Sequence, residues 1–425
     1  MKIYLVGGAV RDRLLDFPVV ERDWLVVGAN ADDLLTQGFK LVGKDFPVFL
    51  HPETHDEFAL ARTERKTAPG YKGFEVNAAP DVTLEDDLLR RDLTINAMAL
   101  DEDGELIDPF GGRADLDQRI LRHVSPAFNE DPVRVLRVAR FAARYGHLGF
   151  TVAPETLQLM RDMVDSGEID HLVAERVWAE LSKSLVETTP AAFFEVLRDC
   201  GALRVIFPEL DALFGIPQPP QYHPEIDTGI HSLMALNQAT RLSSKPEIRL
   251  AALLHDLGKA KTPPERWPSH HGHERKGLAL LEQLCQRLRV PNGFKALCAH
   301  VMEFHTHCHR AFDLRADTLV DLLQMIGAFK SVANLDDFLL ACEADARGRT
   351  GLEDRAYPQA DYIRQVFDIV SPIDITVVAV DGLKGPEIGA AIRRARCQAV
   401  DDYKRMHSQG QKTVEPTSQS QAVLC

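Results

Sequence analysis

The stretch Lys2-Ile3-Tyr4-Leu5-Val6-Gly7-Gly8-Ala9-Val10-Arg11-Asp12, with Glu21-Arg22-Asp23-Trp24-Leu25-Val26-Val27 shortly after it, decides how the N-terminal part of this chain folds. Its residue types spell a strand, a Gly-Gly turn, a helix and a second strand. Glycine has no Cβ, so backbone N–H groups at the turn can approach a polyphosphate, and Arg11 on the following helix can neutralise its charge. Glu21 and Asp23 are two apart in an extended segment, so both carboxylates face one side, as oxygen ligands for Mg²⁺ must. A Gly-Gly turn alone is only a turn, and an acidic pair alone is a solvated strand edge. Together within one βαβ-sized stretch they predict a site for a metal-bound nucleoside triphosphate.

Outward from that stretch, residues 1–140 read as α/β, with further strand-length apolar runs at Val48–Leu50 and Phe58–Ala61 and turn signals at His51-Pro52-Glu53-Thr54 and Ala68-Pro69-Gly70. From Asp131 onward apolar residues recur every three to four positions, which predicts helices. Pro217-Gln218-Pro219-Pro220-Gln221-Tyr222-His223-Pro224 reads as a stiff hinge, since proline fixes φ and lacks a donor. A second, histidine-rich helical region follows, and the end of the chain has a disordered composition. The expected domains are 1–140, 141–225, 226–330 and 331–410, with a disordered tail over 411–425.

Composition limits the classes of function. The chain of 425 residues is 45% hydrophobic and can bury large cores, while no apolar run is long enough to span a bilayer. Its seven cysteines form no Cys-x-x-Cys pair, which argues against a zinc or disulfide framework. The N-terminus runs straight into a strand without a signal-peptide pattern, and a cytoplasmic protein is expected. A net charge of −14 excludes indiscriminate polyanion binding, so a nucleic acid would need a local basic face.

Such a face is offered by Glu130-Asp131-Pro132-Val133-Arg134-Val135-Leu136-Arg137-Val138-Ala139-Arg140-Phe141-Ala142-Ala143-Arg144. Pro132 suits the start of a helix, where a missing N–H costs nothing. At about 100° per residue Glu130, Arg134, Arg137, Arg140 and Arg144 fall within an arc of roughly 120°, opposite Val135, Val138, Ala139 and Ala142. With little acid of its own beyond the first turn, this stripe predicts a polyanion partner. Further on, His255-Asp256 closes the apolar run Ile248–Leu254 and precedes Leu257-Gly258-Lys259, with His231 upstream and His270-His271-Gly272-His273-Glu274 downstream. Imidazole and carboxylate side by side can chelate a divalent metal. His273 and His305 are further candidates, the segment around Glu303-Phe304-His305 standing where a closing carboxylate ligand is sought.

These motifs, with Arg90-Arg91-Asp92-Leu93-Thr94-Ile95-Asn96-Ala97, resemble those of the bacterial CCA-adding enzymes, class II tRNA nucleotidyltransferases of the polymerase-β-like superfamily, and the His-Asp region resembles an HD domain. The resemblance extends to about residue 410. It implies an α+β protein: a nucleotidyltransferase head with a mixed sheet, then an all-α neck and body, then an all-α HD domain. It further implies that Glu21 and Asp23 bind catalytic Mg²⁺, that Gly8, Arg11, Arg91, Arg137 and Arg140 hold the nucleotide, and that Asp131 and Arg134 pair with the incoming base. The commoner motif has Asp at both metal positions, whereas this chain has Glu21. His255, Asp256 and His231 would carry the HD chemistry with Ni²⁺ or Mg²⁺. The implied substrates are tRNA, CTP and ATP, with phosphatase, 2′-nucleotidase and 2′,3′-cyclic phosphodiesterase activity in the HD domain and no membrane partner. The implied assembly is a monomer able to form homodimers. The alternatives are a poly(A) polymerase of the same superfamily, disfavoured by the acidic chain and its HD-like end, and a degenerate RNA-binding protein.

Overall fold

A computed structural model describes residues 1–42, 48–66, 74–378 and 383–411. The expected Ala68-Pro69-Gly70 turn and, from residue 412 on, the expected disordered tail lie outside them. The chain forms two compact units, residues 1–215 with 283–290 and residues 216–282 with 291–425.

The first unit opens with strand β1 (Lys2–Val6), helix α1 (Gly8–Leu14) and strand β2 (Asp23–Val27), as the opening stretch predicts. Helix α2 (Ala31–Thr36), β3 (Lys40–Leu41), β4 (Val48–Leu50) and β5 (Glu57–Leu60) follow, then the ribbon of β6 (Thr63–Lys66) and β7 (Phe74–Asn77). Next come α3 (Leu84–Leu89), β8 (Ala99–Leu100), β9 (Leu106–Ile107), α4 (Gly112–Gln118), β10 (Ile120–Leu121), α5 (Val133–Tyr145), β11 (Thr151–Val152) and α6 (Pro154–Asp165). Helices α7 (Ala174–Val186), α8 (Ala191–Asp199), α9 (Leu203–Ile206) and α10 (Pro208–Asp211) complete the run. The main sheet has the order β3-β4-β5-β2-β1-β8-β9. Only β2 and β5 pair in parallel there, so the sheet is mixed as expected. Alternation in β2 sends Leu25 to the core shared with Val6, Leu88 and Ala97, and Val26 to that shared with Leu34, Phe49 and Phe58. Thr83 caps α3 through a reciprocal pair of hydrogen bonds with Asp86. Helix α5 buries its apolar side and packs on α7 and α8.

The second unit is helical: α11 (Thr228–Leu242), α12 (Pro246–Leu254), α13 (His273–Leu288, as far as Glu282), α14 (Asn292–His309), α15 (Ala316–Met325), α16 (Val332–Arg347), α17 (Pro358–Val370) and α18 (Pro386–Gln411). Helices α11, α12, α14 and α16 pack around one core. The proline-rich stretch, expected to be a stiff hinge, is tied to the residues that follow it. Gln218 N–H donates to Ile226 at 2.7 Å, Pro217 bridges Asp227, and Gln218 is buried, so these residues are built into the second unit. Proline stiffened the stretch, but local pairing gave it a place to dock. Among the described residues no helix is long and apolar enough to cross a membrane, and the cysteines are unbridged.

Candidate active sites

A cleft of about 790 Å³ in the first unit is lined by Gly8, Arg11, Glu21, Asp23, Arg91, Asp131, Arg134, Arg137 and Arg140, so the structure brings all nine candidate nucleotide-site residues together. Gly7 turns the chain from β1 into α1. Its φ is +68°, and a Cβ there would stand 2.7 Å from an Arg91 nitrogen. Asp23 begins β2, whereas Glu21 lies in the irregular segment just before it, so the strand supports one carboxylate rather than two. Burial raises the pKa of Asp23 and nearby Glu21 adds to this, while Arg91 opposes them. A carboxyl held back from ionising beside a second carboxylate is stabilised by a cation, so the donor set fits Mg²⁺.

The arginine stripe does not lack acids: the fold supplies them from elsewhere. Arg137 donates through Nε to Asp92 at 2.6 Å and Arg140 to Glu180 at 2.6 Å, while Arg144 stands 3.4 Å from Asp12. Asp92 also accepts from Asn96 at 3.0 Å, and Asn96 accepts from Arg11 at 2.5 Å. This chain of bonds locks the cleft's cations. Burial would raise the Asp92 pKa, but Arg137 and Asn96 outweigh it and hold that carboxyl far below the ordinary range. Burial pushes the Tyr145 hydroxyl up to about 12, where it stays a donor to Asp12 at 3.1 Å.

Arg134 is anchored by donating to the carbonyls of Ala127 (2.8 Å) and Arg90 (2.6 Å), and Asp131 is gripped through both oxygens by Arg176 (2.9 and 2.8 Å). Arg176 comes from α7, 45 residues away, with no local motif to reveal it. Arg62, Arg90, Arg144 and Lys183 also line the cleft and were absent from the candidate set.

In the second unit His231, His255, Asp256, His273 and His305 are all buried and all converge. Asp345 joins them, a carboxylate that the sequence reading missed. Its Oδ1 lies 3.1 Å from His231 Nε2 and 3.5 Å from His255 Nε2. While the Glu303–His307 segment contributes His305, a carboxylate is thus offered to the cluster by α16. Its signal was present: an aspartate on the same buried face as Phe338, Cys342 and Ala341.

The histidines share one arrangement. Nδ1 of His231, His255, His273 and His305 sits against a backbone carbonyl, of Gly348 (2.9 Å), Ala252 (2.7 Å), His270 (2.9 Å) and Val301 (3.0 Å) respectively. An Nδ1 that donates there leaves Nε2 with a lone pair, and the four Nε2 atoms face the carboxylates of Asp256 and Asp345. His273 Nε2 and His305 Nε2 are only 3.4 Å apart, and Asp256 Oδ1 and His255 Nε2 are buried without a well-directed hydrogen bond. Converging lone pairs repel one another unless a cation sits among them, so this donor set fits a divalent metal. Burial, the largest single influence, would raise both carboxyls, but the neighbouring groups together outweigh it and hold Asp256 and Asp345 well below the usual range: His255, Lys259 (2.5 Å) and His273 around Asp256, and His255, His309 (2.6 Å) and His231 around Asp345. Gly258 permits the fold of this turn, since a Cβ there would overlap the His273 carbonyl.

Three family models match the chain: the Poly A polymerase head domain over residues 3–122, the "Probable RNA and SrmB- binding site of polymerase A" over 149–214, and the HD domain over 228–349. A multifunctional CCA protein of Methylococcus capsulatus is 63% identical over 401 residues, 94% of each chain, and that of Teredinibacter turnerae is 61% identical, covering 94% of this chain and 97% of its own. Among solved structures, a CCA-adding enzyme with ATP superposes with a TM-score of 0.63 (20% identity, 99% of this chain and 92% of that one). One with CTP gives 0.59 (20%, 98% and 92%), and the Thermotoga maritima CCA-adding enzyme complexed with tRNA gives 0.60 (20%, 94% and 87%). At that identity these structures attest the fold, while the curated relatives attest the family along nearly the whole chain. The chain belongs to the family of multifunctional CCA proteins, joining a CCA-adding nucleotidyltransferase head to an HD phosphohydrolase domain.

Proposed function

We propose that the first unit adds CMP and AMP from CTP and ATP to the 3′ end of tRNA in the cytoplasm, with Glu21 and Asp23 holding Mg²⁺. The second unit then acts on phosphate esters as phosphatase, 2′-nucleotidase and 2′,3′-cyclic phosphodiesterase, with Ni²⁺ or Mg²⁺ held by His231, His255, Asp256, His273, His305 and Asp345. A divalent cation at either site supplies Lewis-acid polarisation of the phosphoryl group and lowers the pKa of the attacking hydroxyl or water.

The observation that carries the first half is the meeting of Glu21 and Asp23 with Asp131 and Arg134 in one arginine-lined cleft. Arg11, Arg91, Arg137 and Arg140 neutralise the triphosphate, and their ion pairs keep them in place before it arrives. The Asp131 carboxylate can accept from an exocyclic amine while Arg134 donates to the adjacent ring nitrogen, a pattern shared by cytosine and adenine. Uracil and guanine present a carbonyl and an N–H there, which reverses both partners. Arg176 orients Asp131 for this reading.

In the second unit the Nδ1 bonds orient the imidazoles and Lys259 neutralises charge beside Asp256. The deciding experiment is incorporation of labelled CTP and then ATP into tRNA lacking its 3′ end, beside hydrolysis of 2′,3′-cyclic AMP by the same preparation. Sustained addition of AMP alone would point instead to a poly(A) polymerase, and no incorporation at all would sink the reading.

A further inference from the structure

Behind the metal-ligand cluster stands a carboxylate outside the ligand set. Glu225 directly follows the proline-rich stretch, and its side chain is only 2% exposed. Its Oε1 lies 3.0 Å from His231 Nδ1 and 3.1 Å from His223 Nδ1, and its Oε2 accepts from the Thr350 N–H at 3.4 Å. Among the described residues no lysine or arginine pairs with it. A buried carboxylate is costly unless it is partnered. Here its partners include two imidazoles, and one of them belongs to the cluster.

His231 is set apart by this contact. Of the four histidines whose Nδ1 meets a backbone carbonyl, it alone has a carboxylate oxygen within hydrogen-bonding distance of the same nitrogen; His273 Nδ1 stands 3.6 Å from Glu274. The Gly348 carbonyl, 2.9 Å from His231 Nδ1, can only accept, so that nitrogen carries the proton and shares it between two acceptors. A nitrogen that donates cannot ligate. This argues against a second ion held between His223, Glu225 and His231, although their atoms stand close enough for one. Nε2 keeps its lone pair, 3.1 Å from Asp345 Oδ1. A carboxylate that accepts from Nδ1–H fixes the ring and raises the basicity of the far nitrogen. We propose that Glu225 is a positioning residue for the metal centre: it holds His231 in the tautomer and orientation that present Nε2 to the ion, and His223 holds Glu225 in turn. The inference rests on the phosphohydrolase reading of the cluster.

The test compares the full-length protein with Glu225→Ala, Glu225→Gln and Glu225→Asp in Ni²⁺ titration calorimetry, in the visible spectrum of the Co²⁺-loaded form, and in kcat and KM for p-nitrophenyl phosphate. Glu225→Ala should bind Ni²⁺ about ten- to a hundredfold more weakly with the number of ions per chain unchanged, shift the Co²⁺ bands, and lower kcat while KM stays within about twofold. Glutamine keeps an oxygen for the Nδ1–H, so Glu225→Gln should recover Ni²⁺ affinity to within about fivefold of wild type. Aspartate keeps the charge but falls one methylene short, so Glu225→Asp should stay near the alanine variant. A purely structural role would lower Tm in all three and leave the Ni²⁺ affinity and Co²⁺ spectrum of the folded protein unchanged, which would overturn the inference. So would a glutamine variant no better than the aspartate one, and that contrast decides the question even where Glu225→Ala does not fold. Loss of one ion per chain would overturn it in favour of a second metal site. Absence of both Ni²⁺ binding and hydrolysis in wild type would remove the phosphohydrolase reading, and the inference with it.

Discussion

Asp92→Asn should destabilise the first unit and loosen Arg137 in the cleft. The carboxylate is 6% exposed and accepts from Arg137 Nε at 2.6 Å, Asn96 Nδ2 at 3.0 Å and the Leu93 N–H at 2.8 Å. Asparagine can keep the Leu93 bond, but its NH₂ turns a donor toward the guanidinium. Removing one partner of a buried ion pair costs about 3–5 kcal/mol. The Arg137 side chain is 37% exposed and regains some hydration, so about 2–3 kcal/mol is expected. For a unit of this size that is a fall in Tm of about 4–12 °C. The folded-state pKa of Asp92 is depressed, so its stabilisation is complete above the unfolded carboxylate range and is lost as the pH falls through the folded value. Wild type and variant should therefore differ most at neutral pH and converge toward acid. Hydrogen exchange on peptides covering residues 88–100 and 133–145 localises the loss, and KM for CTP should rise. Adding Arg137→Met should return part of the stability, because it removes the orphaned charge. A single variant that melts within about 1 °C of wild type at pH 7, with unchanged KM, would show that the Asp92–Arg137 pair neither stabilises the unit nor positions Arg137.

Asp23→Ala should abolish addition of both CMP and AMP, because a lost metal ligand costs several kcal/mol of transition-state stabilisation, and should spare hydrolysis of 2′,3′-cyclic AMP; residual addition within about tenfold of wild type would contradict this. Asp131→Ala or Arg134→Ala should relax discrimination against UTP and GTP by more than it weakens triphosphate binding, with Arg176→Ala a milder version of the same effect. A pure loss of affinity in a competition assay would make those residues phosphate ligands. Asp345→Ala should lower bound Ni²⁺, measured by elemental analysis of the dialysed protein, by about tenfold in affinity or more and should remove phosphohydrolase activity while CCA addition persists. Undiminished metal content would take Asp345 out of the ligand set.

Much of this protein is written in local sequence. Lys2–Val6 and Asp23–Val27 became neighbouring strands because their alternation suits a sheet with apolar residues on both faces, and Gly7 follows the first of them because its φ of +68° is strained for a residue with a Cβ. The amphipathic arc of residues 133–145 likewise determined which side of α5 would be core, and His255-Asp256 announced its chemistry by adjacency. What only the tertiary structure decided were the partners. The acids that hold the arginine stripe, Asp92 and Glu180, and the arginine that holds Asp131 are distant along the chain, and so is Asp345, which lies 89 positions beyond Asp256 in the numbering. Periodicity reports which face of an element is buried, because burial is set by neighbours a few residues away. It carries no record of which other element that face will meet, and the gathering of Asp345 with the histidine–aspartate cluster is a property of that meeting.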